Sequence, residues 1–249
     1  MSPPPQHIFL ALPAYNEAEN IEPLIREAVD VLRATGQPYK IIIVDDGSTD
    51  ATPQILLQMA AEFPLLIETH EHNAGLGNAI LTGISAVLQL SHSPDDVAVF
   101  MDADNTHSPK YVPQMTDRIW SNGYDVVIAS RFQQGSQEVG VPLFRRFLSR
   151  GARLLFQVFL RLPEVRDYTC GYRAYRVGVL RDATEKFGSH LITRKGFACT
   201  DELLVRLSTL TKKMTEIPFV LRYDKKRNQS KLPLMKTVWE TIKMLAQHR

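Results

Sequence analysis

The chain has 249 residues, enough for one large α/β domain or two small ones, and its 44% hydrophobic and 22% charged content is that of a soluble globular protein. Cys170 and Cys199 are its only cysteines, which argues against a disulfide scaffold and for a reducing cytoplasm. The net charge of +2 hides an asymmetry: residues 1–124 hold 5 Lys and Arg against 16 Asp and Glu, whereas residues 125–249 hold 24 against 11.

Met1 to Pro5 carry no basic start followed by an apolar stretch. No window approaches the roughly 18 to 20 apolar residues that span a bilayer, so a soluble or peripheral protein is expected. Short apolar runs then alternate with amphipathic segments. Residues 8–12, 41–44, 65–68, 97–101 and 126–129 are predicted strands, and residues 21–32 a predicted helix. This alternation predicts a mostly parallel sheet flanked by helices. Ligands of such sheets bind beyond the carboxyl ends of the strands. Three polar motifs fall at those ends: Pro13-Ala14-Tyr15-Asn16-Glu17, Asp45-Asp46-Gly47-Ser48-Thr49-Asp50 and Asp102-Ala103-Asp104.

After Arg131 the texture changes. Residues 133–141 read as a polar loop, and residues 142–162 as a basic amphipathic helix in which Phe144, Phe147 and Phe156 alternate with Arg145, Arg146 and Arg153. Such a helix can lie in a membrane interface or dock on the sheet. Asp167-Tyr168-Thr169-Cys170-Gly171-Tyr172-Arg173 returns to the main body. A helix over about 200–211 and a strand over about 216–221 follow. A basic run from Arg222 to Lys231 is expected to be mobile, and a last helix covers about 234–247. No repeat or low-complexity linker divides the chain, so one domain is expected over 1–249.

Asp102 and Asp104 leave the end of an apolar strand two residues apart and can converge on one divalent cation. Hard oxygen ligands suit Mg²⁺ or Mn²⁺, and these ions keep places open for substrate phosphates. The same pair also suits an ordinary strand-to-loop turn, so its meaning depends on its neighbours. In Asn73-Ala74-Gly75-Leu76-Gly77-Asn78-Ala79, the glycines can let backbone approach a ligand at a helix N-terminus that favours anions. A plain helix start explains them equally. The basic second half suits nucleic acid, an anionic membrane surface or a phosphorylated substrate, or is simply a solvated face.

Taken in this order, the motifs resemble the family 2 glycosyltransferases of the GT-A fold, and among them the dolichyl-phosphate or polyprenyl-phosphate mannose synthases. Ser130-Arg131 and Ser230-Lys231-Leu232 belong to the same pattern, which runs from about Ile8 to Lys231. The resemblance implies a Rossmann-like, mostly parallel α/β sheet in a single domain, with a nucleotide-sugar part at about 8–130 and an acceptor part at about 131–249. It implies that Pro13, Tyr15, Glu17 and Asp45 hold the nucleotide, with Gly75 and Ala103 also at the substrate. Carboxylates can accept from base and ribose donors, and a Tyr ring can stack. Asp46 and Asp50 are instead expected to cap the next helix. Asp102 and Asp104 are implied as ligands of the Mg²⁺ or Mn²⁺ that bridges the donor diphosphate. The family's third ligand, often a Gln, is replaced by Thr106, and His107 is expected to be structural or to contact the sugar. Arg131, Arg145 and Ser149 are implied to grip the lipid phosphate, with Arg146 an alternative to Arg145. Ser230 and Lys231 are implied to close over the diphosphate, with Asp104, Arg131 and Lys231 carrying catalysis.

The implied reaction is inverting transfer of a hexose from a nucleotide diphosphate sugar, GDP-mannose by resemblance, to polyprenyl or dolichyl phosphate. A phosphate nucleophile is already ionised, so no general base is expected. A hydroxyl acceptor would need one, and Asp201 in Thr200-Asp201-Glu202 is the candidate, although an acid there also suits a first helical turn. A non-catalytic nucleotide-sugar-binding protein is the other alternative. Nucleic acid is not expected as a partner, because no reading module is present. The expected location is the cytoplasmic membrane face, reached peripherally or through a membrane partner protein.

Overall fold

The computed structural model describes residues 6–142, 144, 151, 156, 157, 162 and 164–226. Its elements in chain order are β1 (Ile8–Ala14), α1 (Ile21–Ala34), β2 (Tyr39–Asp45), α2 (Thr52–Glu62), β3 (Leu65–Thr69), α3 (Leu76–Leu90), β4 (Val97–Phe100), α4 (Val112–Trp120), β5 (Val126–Ser130), β6 (Gln137–Val139), β7 (Arg173–Arg176), α5 (Val177–Phe187), α6 (Ala198–Ser208), β8 (Met214–Pro218) and β9 (Val220–Arg222).

One seven-stranded sheet runs β3-β2-β1-β4-β7-β5-β8, and β6 pairs with β9 in a separate two-stranded parallel ribbon. Every pairing in the large sheet is parallel except those of β7, which runs antiparallel to both β4 and β5. Residues of β1, β2, β4 and β5 are almost all buried, because helices cover both faces of the sheet. Each fully buried Ile, Leu or Val here contributes about 1.5–3 kcal/mol, which is why these strands read as continuous apolar runs rather than alternating ones. Amphipathic α1 points Ile21, Leu24, Ile25, Ala28, Val29 and Leu32 into the core and leaves its polar face to solvent.

The five predicted strands of the first half are all present, each within two residues of the expected ends. The strand expected over about 216–221 is two strands: β8 ends at Pro218, buried Phe219 turns the chain, and β9 joins the other sheet. Part of the loop expected over 133–141 is β6. Strand β7 and helix α5 were not expected. Their start is Arg173-Ala174-Tyr175-Arg176, which has no apolar periodicity, and Arg173 is wholly buried, donating to the Thr200 and Tyr168 carbonyls at 2.5 Å each. Both cysteines are free and buried, and burial pushes the Cys170 thiol up to about 12. Most of the basic stretch over 142–162 and the terminal helix expected over 234–247 lie outside the described residues; Phe144 is exposed and Phe156 is buried.

Candidate active site

The parallel strands β1, β2 and β4 end on the same side of the sheet, with Ala14 paired to Asp45 and Ala11 to Phe100. Their following loops therefore meet. Asn16, at a left-handed φ of 54°, aims its side-chain oxygen at the Thr49 N–H, which donates at 2.7 Å. Ser48 Oγ accepts from Asn16 N at 2.9 Å, and Thr52 Oγ1 accepts from Glu17 N at 2.9 Å. These bonds knot the first two motifs into one surface. Asp45 is buried, and its Oδ1 accepts from Ser48 N at 3.0 Å. Glu17 is also buried, and its Oε2 accepts from Asn20 Nδ2 at 2.7 Å. Pro13 and Tyr15 are half-buried at the rim.

Beyond β4, Asp104 is fixed from both sides. Its Oδ1 accepts from Thr106 Oγ1 at 2.6 Å and from Thr106 N at 3.1 Å, while its Oδ2 faces the ammonium of Lys226 in a close ion pair. Thr106 thereby orients Asp104. Burial works against the Asp104 charge, yet Lys226 holds its carboxyl below the ordinary carboxylate range. Burial, with Asp104 as a like charge, pushes Asp102 up, although 39% of its side chain is open to solvent that screens the effect. His107 is buried, stacks on Tyr172 with centroids 5.2 Å apart, and accepts the Asp102 N–H at Nδ1 over 3.3 Å. It serves the loop's shape. Ala103 turns its methyl into the core, so any ligand contact it makes is through its backbone.

The glycine loop is held by backbone contacts. Gly75, at φ +91°, donates its N–H to Asp46 Oδ2 at 2.9 Å, and Gly77 N donates to the Lys195 carbonyl at 3.1 Å. A Cβ on Gly77 would lie 1.9 Å from the Arg194 carbonyl oxygen, and one on Gly75 would lie 2.7 Å from the Lys195 oxygen. The glycines thus admit a second backbone segment at close range. Asp46 does not cap α2. It accepts from Ala74 N at 2.8 Å and meets His70 Nδ1 at 2.7 Å, pinning the loop. Asp50 does steady the start of α2, accepting from Thr52 N at 2.9 Å. Gly77→Ala tests the packing: higher helix propensity is worth about 1 kcal/mol, but a backbone carbonyl cannot rotate away from the new methyl. The expected result is a net loss of about 1–2 kcal/mol in chemical denaturation.

Across the site, Arg131 makes a buried bidentate pair with Asp167. Nε and Nη2 donate at 2.8 and 2.6 Å, the Arg131 backbone N–H donates at 2.9 Å, and Nη2 also reaches Thr169 Oγ1 at 2.6 Å. Arg131 therefore has a scaffolding duty. Asp167 is held in turn because its N–H and that of Arg166 donate to Glu216 Oε1, each at 2.6 Å. Asp201 is buried in the first turn of α6. Its neighbour Thr200 flanks Gly171 opposite Asp102: a Cβ on Gly171 would lie 3.7 Å from Thr200 Cγ2 and 3.8 Å from Asp102 Oδ1. Glu202 organises residues 193 and 194, accepting from Thr193 N at 2.8 Å and Arg194 N at 3.1 Å.

Of the expected site residues, Pro13, Tyr15, Glu17, Asp45, Asp102 and Asp104 come together around the ends of β1, β2 and β4. Arg145, Ser149, Ser230 and Lys231 lie outside the described residues. The basic run expected to be mobile is anchored over its first part: Arg222 N donates to the Thr106 carbonyl at 3.0 Å and Arg222 pairs with Asp224 at 2.7 Å. Lys226 is the residue that sequence reasoning missed, since nothing distinguishes it from Lys225 and Arg227 beside it.

Residues 10–184 match the model of glycosyl transferase family 2. The chain is 28% identical over 237 residues to a dolichol-phosphate mannosyltransferase from Pyrococcus furiosus, covering 95% of this chain and 62% of that relative's length. It is 33% identical over 217 residues to a polyprenol monophosphomannose synthase from Mycolicibacterium smegmatis, covering 86% of this chain and 77% of the relative. The crystal structure of glucosyl-3-phosphoglycerate synthase from Mycobacterium tuberculosis with Mn²⁺, UDP and phosphoglyceric acid superposes with a TM-score of 0.71 at 22% identity, over 97% of this chain and 78% of that one. The sheet order and this superposition agree with the expected GT-A fold. With its strand-end motifs gathered and most of its length matched by the family model, this chain belongs to glycosyltransferase family 2.

Proposed function

We propose that the protein transfers a hexose, mannose, from a nucleotide diphosphate sugar, GDP-mannose, to polyprenyl phosphate, with inversion, at the cytoplasmic membrane face. The observation that carries this reading is the Asp102–Asp104 pair at the end of β4, with Asp104 Oδ2 already turned to a cation. The names of the polyprenol-phosphate relatives support the acceptor. The two carboxylates fit a Mg²⁺ or Mn²⁺ ion: the donors are hard oxygens, and the Lys226 ammonium stands where a positive charge is welcome. Among the described residues no group of three or more His, Cys, Asp or Glu gathers there, which suits an ion that shares its coordination with substrate phosphates. Bound there, the ion supplies neutralisation of the charge that develops on the leaving diphosphate.

The chain's own residues do the rest. Glu17 and Asp45 present acceptors to the nucleotide, Tyr15 offers a ring at the rim, and Thr106 keeps Asp104 in one rotamer. The acceptor phosphate oxygen attacks the anomeric carbon, the bond to the diphosphate breaks, and the nucleoside diphosphate leaves. Arg131, Arg145 and Ser149 bind the acceptor phosphate, and Ser230 and Lys231 close on the donor. No helix among the described residues is long and apolar enough to cross a membrane, and exposed Phe144 within the basic stretch supports a peripheral approach. Buried Asp201, next in the chain to the Thr200 that flanks Gly171 together with Asp102, supports as a second reading a hydroxyl acceptor with Asp201 as base.

A radiolabelled transfer assay decides between them. With polyprenyl phosphate and Mn²⁺, GDP-mannose is expected to yield lipid-extractable product, and UDP-glucose much less. Label that passes only to water-soluble acceptors, and is lost in Asp201→Asn, would overturn the lipid reading.

A further inference from the structure

Lys226 closes its ammonium on Asp104 Oδ2, and only 16% of its side chain is exposed. Its backbone is held independently of that contact. The β6–β9 ribbon leads into a 3-10 turn over Tyr223–Lys225, the Arg222 N–H donates to the Thr106 carbonyl at 3.0 Å, and Lys226 N donates to Tyr223 O at 3.3 Å. Gly140 closes the ribbon, because a Cβ there would lie 2.9 Å from Asp224 N. The strap and the Asp104–Thr106 loop are thus one unit, and the flexible four-carbon stem of Lys226 can swing without moving it.

We propose that Lys226 is a built-in counter-ion that competes with the divalent cation for Asp104, so that the cation loads together with the donor diphosphate, whose oxygens draw the ammonium away. This rests on Asp102 and Asp104 being the cation ligands. An ammonium in contact with Asp104 Oδ2 and a divalent ion on the same oxygen exclude one another by size and by charge. A diphosphate relieves the conflict, since it offers Lys226 other anionic oxygens and adds ligands to the ion. Binding of Mn²⁺ and of nucleoside diphosphate then reinforce one another, and by linkage each does so equally for the other.

The test is Mn²⁺ titration of the full chain without nucleotide, followed by the loss of the free-ion EPR signal. Lys226→Gln and Lys226→Met are expected to bind Mn²⁺ about tenfold more tightly than the parent, the size expected for losing one close, partly shielded charge pair. Lys226→Arg keeps the parent's weaker affinity, and Lys225→Gln, which removes an exposed charge next door, stays within about twofold of the parent on the same scale. Repeating the titration with GDP should narrow the gap between parent and Lys226→Gln. Equal affinity of parent and Lys226→Gln without nucleotide, or weaker binding by Lys226→Gln, overturns the proposal. If Asp104→Asn binds Mn²⁺ as well as the parent, it is the ligand assignment beneath the proposal that falls.

Discussion

Asp104→Asn is expected to lower sugar transfer by at least about 10³-fold while leaving the fold intact. The amide is isosteric with the carboxylate, and its carbonyl oxygen can still accept from Thr106 N and Oγ1. What is lost is a full negative charge at the one oxygen that faces a cation. The structural cost is confined to the Lys226 contact, about 1 kcal/mol for a pair with partial solvent access. Activity and stability therefore separate. Transfer kinetics beside thermal unfolding would show a collapse of kcat with a Tm change of a few degrees. Activity within tenfold of the parent would instead remove Asp104 from the cation site.

Asp167→Asn should do the reverse, acting first on stability. Its carboxylate receives the Arg131 guanidinium through two nitrogens, the Arg131 backbone N–H and the Cys170 N–H at 3.1 Å, with no exposure of its own. Removing its charge takes away the ion-pair partner of a guanidinium that is only 15% exposed, a change that costs about 3–5 kcal/mol. At roughly 2–4 °C per kcal/mol for a chain of this size, Tm should fall by about 10 °C. The same pair sets a pH dependence. Although burial favours the neutral acid, Arg131 holds the folded Asp167 below its unfolded value of 3.8, so the unfolded state takes up the proton first on acidification. The stabilisation is fully present above that value and is lost as pH falls through the lower folded one. Urea midpoints should respond to this pair only below about pH 4, where they should drop more steeply in the parent than in Asp167→Asn.

What could be read in the sequence follows from what each residue meets. Strands β1, β2, β4 and β5 are covered on both faces, so their apolar runs announce them. Strand β7 is just as central, but its first residue is an arginine whose charge is answered by two backbone carbonyls, that of Tyr168 in the preceding loop and that of Thr200, 27 residues further along the chain. No local pattern carries that information. The acidic pair was legible as a motif because both carboxylates come from one short loop. Lys226 was not, because its return to Asp104, 122 residues earlier, depends on the pairing of β6 with β9 and on the Arg222 N–H bond to the Thr106 carbonyl. The glycine loop shows the opposite case: its conformational demand was visible, while the object that presses on it, the segment around Lys195, was not.

The antiparallel strand between β4 and β5 also bears on how the molecule is made. As the chain emerges from synthesis, β1 to β4 can assemble early, but the outer hydrogen-bonding edge of β4 waits for Arg173–Ala174–Tyr175–Arg176, more than seventy residues later. During that interval Val97–Phe100 offers an apolar, unpaired border to any neighbouring chain. A break in the chain anywhere between β4 and β7 would leave the first half with the same sticky border permanently. The late strand is therefore a seal as well as a scaffold, joining the acidic and basic halves of the polypeptide into one inseparable folding unit.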